Sequence, residues 1–221
     1  MLQLINSVTA SEGQRVRIHA IDLGLTASEI EHFGKVHPGV PLTRFPFEDF
    51  PLHFNLTCPP DYRGEYAWKA FCVQPVYDTL RPGDFLLWLD AGDFVRTRMW
   101  LIRAALYFRG FYARLTPHDI VSWTHPETLR RLGMAHAGRY AMFGGGILGM
   151  RKDARNDELM REWCAGSLDK GIIAPEGSSR KNHRQDQSLI SLLFYKIYRY
   201  RTKPPLLSRL EREILIHRDI G

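Results

Sequence analysis

An α/β domain with a largely parallel sheet is the fold class this sequence predicts, and three observations predict it. Strand-like and helix-like segments alternate along the chain, as in successive βαβ units. The run Phe85-Leu86-Leu87-Trp88-Leu89 is continuously apolar and is entered through Arg81-Pro82-Gly83-Asp84, which reads as a strand buried on both faces. That run ends on Asp90-Ala91-Gly92-Asp93, so two carboxylates stand at a strand's carboxyl end, where open α/β sheets bind ligands. No internal repeat, low-complexity tract or linker divides the chain, and residues 1–221 read as one domain. Both ends look like those of a domain trimmed from something longer, or of a minimal version of the fold.

The elements follow in order. Leu2 to Val8 reads as a strand. Val16 to Ile21 alternates, is β-branched and ends at Asp22, giving a second strand. Leu23-Gly24-Leu25 is a turn. Thr26 followed by Glu29 is a capping box that opens a helix through about Val36. The stretch from Phe45 to Pro51 is irregular, with aromatics expected to pack beneath a loop. Tyr66 to Leu80 has helical apolar spacing and stops at Arg81-Pro82-Gly83. Met99 to Phe108 predicts a helix, Ile120 to Trp123 a strand, and Pro126 to Leu132 a short helix. Tyr140 to Met150 is strand-like but carries Gly144-Gly145-Gly146 at its centre. Three glycines weaken a strand, so they point to close approach of a ligand or of other backbone. Asp157 to Leu168 is helical, Gly171 to Arg184 is a polar loop, and Gln185 to Tyr198 is a helix with Leu189, Leu192 and Leu193 toward the core.

Composition narrows the class. Apolar residues make up 44% of the chain and aromatics 12%, enough for a substantial core and against disorder. No apolar run approaches the ~20 residues of a spanning helix, and no signal peptide is evident. The sequence leaves the location open between the cytoplasm and, if the chain is a trimmed domain of an anchored enzyme, the Golgi lumen. Cys58, Cys72 and Cys164 are widely spaced and form no C-x-x-C pair, against a disulfide framework or a zinc site; Cys72 is expected to be a core thiol. Asn55-Leu56-Thr57 is a glycosylation sequon, relevant only in a secretory compartment. The net charge of +6 suits anionic partners. It concentrates in Arg180-Lys181-Asn182-His183-Arg184 and in Lys196 to Lys203. Neither stretch forms a nucleic-acid recognition motif, so no nucleic-acid partner is expected.

Two acidic side chains beside a glycine turn can hold a hard divalent cation, which can in turn hold a diphosphate. At this point the segments carry a resemblance. Asp22-Leu23-Gly24-Leu25 with Thr26 to Phe33, Phe45-Pro46-Phe47, Tyr66-Ala67-Trp68-Lys69 and Trp88-Leu89-Asp90-Ala91-Gly92 resemble, in order, a group of glycosyltransferases of the nucleotide-diphospho-sugar transferase (GT-A) superfamily. Phe143 to Leu148 and His183 to Ser188 continue the match over nearly the whole chain. A more distant likeness is to glycosyltransferase family 8. The resemblance implies a Rossmann-like, mostly parallel mixed sheet flanked by helices, and transfer of a sugar from a nucleoside-diphosphate donor to a hydroxyl. A UDP-sugar is the expected donor, with a glycan or other hydroxyl compound as acceptor.

By that likeness, Lys69 touches the donor, and Asp90 and Asp93 correspond to the metal-binding acids. Gly144, Gly145 and Gly146 form the strand beside the donor sugar. Asp186 and Gln187 form the pair under the reacting carbon, and His217 is the late metal ligand. Asp22, His183 and Arg184 are further donor-site candidates. The family pattern is Asp-x-Asp, whereas here Gly92 spaces the acids as Asp-x-x-Asp. Either Asp93 takes the metal role, or Asp90 works with His217 and water. Oxygen ligands favour Mg²⁺ or Mn²⁺, and an imidazole tilts the choice to Mn²⁺. Asp186 is either the base of an inverting transfer or, with Gln187, a stabiliser of the oxocarbenium-like state in a retaining one.

Other readings compete. A sugar nucleotidyltransferase would need an N-terminal glycine-rich phosphate loop, and residues 1–20 offer only Gly13 with Arg15 and Arg17. An inactive nucleotide-sugar or glycan binding module is the alternative that the irregular acidic turn keeps open. The loop from Gly171 to Arg184 is expected to flank the acceptor.

Overall fold

The computed structural model describes residues 1–55, 66–138, 140–199 and 213–215. Cys58, His217 and the sequon's Leu56 and Thr57 lie outside the described residues, as does the basic stretch beyond Arg199. The chain is a mixed α/β protein. The N-terminal segment is a helix, α1 (Leu2–Glu12), not a strand. Its buried positions Leu4, Ile5, Val8 and Glu12 recur at helical spacing, a period that the Leu2/Leu4 alternation concealed. β1 (Ala20–Asp22), α2 (Ala27–Val36) and β2 (Leu42–Arg44) form a βαβ unit with β1 and β2 parallel. The capping box forms as the sequence predicts. Thr26 Oγ1 accepts from the Glu29 backbone N–H, and Glu29 Oε2 accepts from the Thr26 N–H.

Two short 3₁₀ turns follow, and Phe45, Phe50 and Phe54 stack at 4.8 and 4.9 Å under them. Next come α3 (Trp68–Asp78), β3 (Phe85–Leu89), β4 (Phe94–Val95) and α4 (Trp100–Arg109). β5 (Phe111–Asp119) starts straight after Gly110, whose left-handed φ of 77° closes α4. The strand therefore precedes the Ile120–Trp123 segment, which is a turn. The remaining elements are α5 (Pro126–Arg131), β6 (Ala141–Arg151), α6 (Ala154–Leu168), α7 (Lys170–Ile173), α8 (Gln185–Tyr198) and β7 (Ile214–Leu215).

The sheets correct the expectation of a mostly parallel one. Among the described residues, β3, β6 and β5 pair antiparallel in that order, β4 pairs antiparallel with β7, and only β1–β2 is parallel. β3 is also not buried on both faces: Leu86 is buried, Phe85 is exposed and Leu87 to Leu89 are half-buried. An apolar run carries no information about the direction of its partner or which of its faces is covered. The core lies between β5–β6 and α6 and α8. It contains Phe143, Leu148, Trp163, Leu189, Leu192 and Leu193, all fully buried. Cys72 is a buried free thiol, as expected, and burial pushes it up to about 12.

Candidate functional site

Four elements converge on one buried ammonium. α3 carries Lys69 inward, and its Nζ donates to the Gly145 carbonyl of β6 at 2.9 Å. It lies 3.3 Å from Asp90 Oδ1 at the end of β3 and 3.5 Å from Asp186 Oδ2 in the first turn of α8. The Trp88, Trp68 and Tyr66 rings surround it at 5.6 to 5.9 Å. Burial opposes the charge on Lys69, but the carboxylates of Asp186 and Asp90 outweigh it and hold the lysine above its ordinary value. The ammonium is thus fixed in its charged form.

Asp90 is held in turn. Its Oδ1 accepts from the Trp88 indole at 2.7 Å, and its backbone N–H donates to the Gly146 carbonyl at 2.9 Å. Trp88 and Asp90 share a face because strand side chains alternate. Asp93 points elsewhere: its carboxylate is buried and accepts from the Asp90 backbone N–H at 3.1 Å, closing the acidic turn on itself. Asp90 is therefore the acid of the turn that faces open space, its side chain a quarter exposed.

Gly145 and Gly146 line the cleft, whereas Gly144 faces Arg114 and Thr116. A Cβ on Gly145 would stand 2.9 Å from Asp186 Oδ2 and 3.0 Å from Gln187 Cγ, and one on Gly146 would stand 3.2 Å from Asp90 Oδ2. Gly144 has ordinary spacing, 3.7 Å from the Arg114 carbonyl. The close approach that three glycines in a strand imply is an approach to carboxylates. Before the site lies a cleft of about 1590 Å³. Lys69, Asp90, Gly145, Asp186 and Gln187 line one wall, Val16 to Ile21 and Leu23 to Leu25 the other, and Arg180 and Arg184 stand at its edge. Arg184 stacks on Trp123 at 3.8 Å, while Arg180 donates to the Tyr66 hydroxyl at 3.0 Å. Burial, then the neighbouring Arg180, pulls the Arg184 guanidinium below its usual value.

The other candidates lie apart from this cluster. Asp22 is buried and accepts from the Gly24 and Leu25 N–H groups, shaping the turn after β1. His183 is fully buried, with Nε2 2.9 Å from the Ile173 carbonyl and Nδ1 accepting from the His125 N–H. That arrangement needs the neutral ring, and burial holds it down to about 4. His217 lies outside the described residues, among which no three His, Cys, Asp or Glu side chains converge on a metal position. The carboxylate chemistry suits Mg²⁺ or Mn²⁺, and Asp90 is the side chain placed to offer an oxygen from the cleft wall. Sequence reasoning missed Trp88, legible from its alternation with Asp90, and Trp123, which reaches Arg184 through tertiary folding alone.

Asp186 is fully packed, and burial raises it from 3.8 to about 6 against the opposing pull of Lys69. Its proton stabilises the native state, a contribution present below pH 3.8 and lost as pH rises through about 6. His183 acts in the opposite sense: kept neutral, it contributes stability above its ordinary 6.5 that is lost as pH falls toward about 4. Asp186→Asn is therefore expected to gain stability relative to wild type as pH rises from about 4 to about 8, and to be the more acid-sensitive of the two. Denaturant midpoints at several pH values check this; a variant with the wild-type pH profile refutes the assignment.

No protein-family model matches this chain, and no curated protein is similar to it. Among solved structures, it is similar to a galactosyltransferase, LgtC, crystallised with donor and acceptor sugar analogues. The TM-score is 0.46 at 17% identity, over 87% of this chain and 65% of that one. The chain thus spans slightly less than two thirds of the length of that protein. Among the described residues, no helix is long and apolar enough to cross a membrane.

Proposed function

We propose that this chain is a glycosyltransferase that moves a sugar from a nucleoside-diphosphate donor, a UDP-sugar in our reading, to an acceptor hydroxyl. The observation that carries the proposal is the buried Lys69 ammonium, held between Asp90 and Asp186 on the Gly145 carbonyl at the wall of a large cleft. In the reaction, the bond from the sugar's anomeric carbon to the diphosphate breaks and one to the acceptor oxygen forms. The acceptor's proton passes to a base. Negative charge develops on the departing diphosphate, and fixed positive charge in a dry site stabilises it. Arg180 and Arg184 at the cleft edge suit the phosphates. Asp186, with its raised affinity for a proton, suits either proton transfer or stabilisation of the electron-poor sugar. A Mn²⁺ or Mg²⁺ ion at Asp90 would supply Lewis-acid compensation to the leaving group.

The test is thermal stability against a panel of nucleoside diphosphates, with and without Mn²⁺, for wild type and Asp90→Ala. A ligand at 100 times its Kd stabilises by ~2.7 kcal/mol, a readily measured shift. A nucleotide-selective shift that needs Mn²⁺ and disappears in Asp90→Ala is the expected result. No shift with any nucleotide, together with no hydrolysis of nucleotide sugars, overturns the proposal.

A further inference from the structure

The outer face of α4 does not behave like the surface of a helix that meets only water. Trp100, Leu101, Ala104, Tyr107 and Phe108 recur at i, i+1, i+4, i+7 and i+8, so they form one continuous helical stripe. All five are exposed, Trp100 to 61% and Phe108 to 78%. The helix's buried side is equally apolar: Ile102, Ala105 and Leu106 face inward, and Ile102 and Leu106 line the cleft. Packing against the core therefore leaves the outward stripe unexplained.

The charge that the segment itself carries is of one sign. Between Phe94 and Arg109 the chain has four arginines, Arg96, Arg98, Arg103 and Arg109, and no acidic residue. Arg96 and Arg98 are exposed just before the helix. Among the described residues, the acids that reach α4 from elsewhere are engaged: Asp153, beside Gly110 at the helix's C-terminal end, pairs with Arg151. Glu12 pairs with Arg103, and the Glu213 carboxylate accepts the Leu101 and Ile102 N–H groups. An exposed Trp/Tyr/Phe/Leu stripe on a segment whose own charged residues are all arginines is the composition of a helix lying in a bilayer interface. Its rings enter the headgroup boundary, and its arginines meet anionic lipid phosphates. A second copy fits poorly, since a two-fold pairing of this face would bring the arginine borders of both chains together.

We propose that α4 is a peripheral docking surface for anionic lipid bilayers, which would place the cleft one helix diameter, about 10 Å, from the membrane. The inference is independent of the glycosyltransferase reading. It is tested by sedimenting the full chain with vesicles of phosphatidylcholine alone and with roughly one-fifth phosphatidylglycerol, at about 0.05 M and about 0.5 M salt. Binding to the anionic vesicles that weakens with salt is expected. Trp100→Ser with Phe108→Ser should weaken it at least about tenfold, whereas Leu168→Ser, a change of an exposed residue outside α4, should leave it intact. Arg96→Gln with Arg98→Gln supplies a second variant that leaves the apolar surface whole and should also weaken binding. Equal binding by all variants, no binding to anionic vesicles, or a dimer that the α4 changes dissociate in the absence of lipid would each overturn the proposal.

Discussion

Lys69→Met is expected to destabilise the protein by about 3–5 kcal/mol at pH 8, the range for removing one partner from a buried ion pair. Methionine preserves the length and apolar contacts of the lysine stem, so the loss reports charge and not a cavity. Without the ammonium, Asp186, 3% exposed, would face Asp90 across the Gly145 carbonyl with no compensating charge nearby. Burial already raises Asp186 to about 6, and Lys69 is the main influence opposing that rise. In the variant, Asp186 should bind its proton more tightly still. The sign follows: the native state then holds a proton that the unfolded chain has released, so stability falls as pH rises. The cost of the substitution is therefore expected to be small at pH 5 and large at pH 8, and denaturant midpoints at the two values measure it. A pH-independent cost would mean that the loss is that of the hydrogen bond to the Gly145 carbonyl and that Lys69 does not control the Asp186 proton. If the proposed activity holds, the variant also loses roughly 100- to 1,000-fold in turnover at pH 8, as enzymes do when a fixed charge facing the developing oxyanion is removed.

How much of this arrangement was legible beforehand depended on how local its cause was. The α2 start is written in Thr26 and Glu29, because the capping box closes within one turn. The glycine triplet was legible as an approach site because a core strand ordinarily fills those positions with side chains. What it approaches, Asp186 and Asp90, comes from α8 and β3, and only folding sets those distances. The direction of the β3 partner was not legible, since Phe85 to Leu89 would be as apolar beside a parallel neighbour as beside β6. Asp93 illustrates a further limit. Residue spacing offers it beside Asp90 as a second metal ligand, yet the tight turn folds its carboxylate back onto the Asp90 N–H. An aspartate that shapes a turn and one that faces a cleft have the same letter at nearly the same place. His183, likewise, sits beside residues of the cleft in sequence but spends both ring nitrogens on Ile173 and His125.

The three glycines of β6 are expected to respond to alanine in a fixed order, Gly145 worst, Gly146 next and Gly144 least. None of the three has a positive φ, so the backbone accommodates alanine at each and only the space in front of the Cβ differs. At Gly145 the methyl group would meet Asp186 Oδ2 at 2.9 Å and Gln187 Cγ at 3.0 Å. Both belong to the first turn of α8, a helix pinned by the fully buried Leu189, Leu192 and Leu193, so the turn cannot withdraw. The Asp186 carboxylate must instead rotate away from Lys69, which is itself anchored on the Gly145 carbonyl. Overpacking of this kind costs about 1–3 kcal/mol, and, if the proposed activity holds, a displacement near 1 Å of the Asp186 carboxylate costs on the order of 100-fold in rate. At Gly146 the neighbour is Asp90 Oδ2 at 3.2 Å on a quarter-exposed side chain that can yield by a few tenths of an ångström. At Gly144 the contacts of 3.7 and 3.8 Å are ordinary van der Waals spacing, and alanine should be nearly neutral. Melting temperatures of the three variants check the order without reference to any activity. Equal losses at all three would show that the strand requires glycine for its own conformation, and the role of Gly145 and Gly146 as the wall against which Lys69, Asp90 and Asp186 are set would fall with that result.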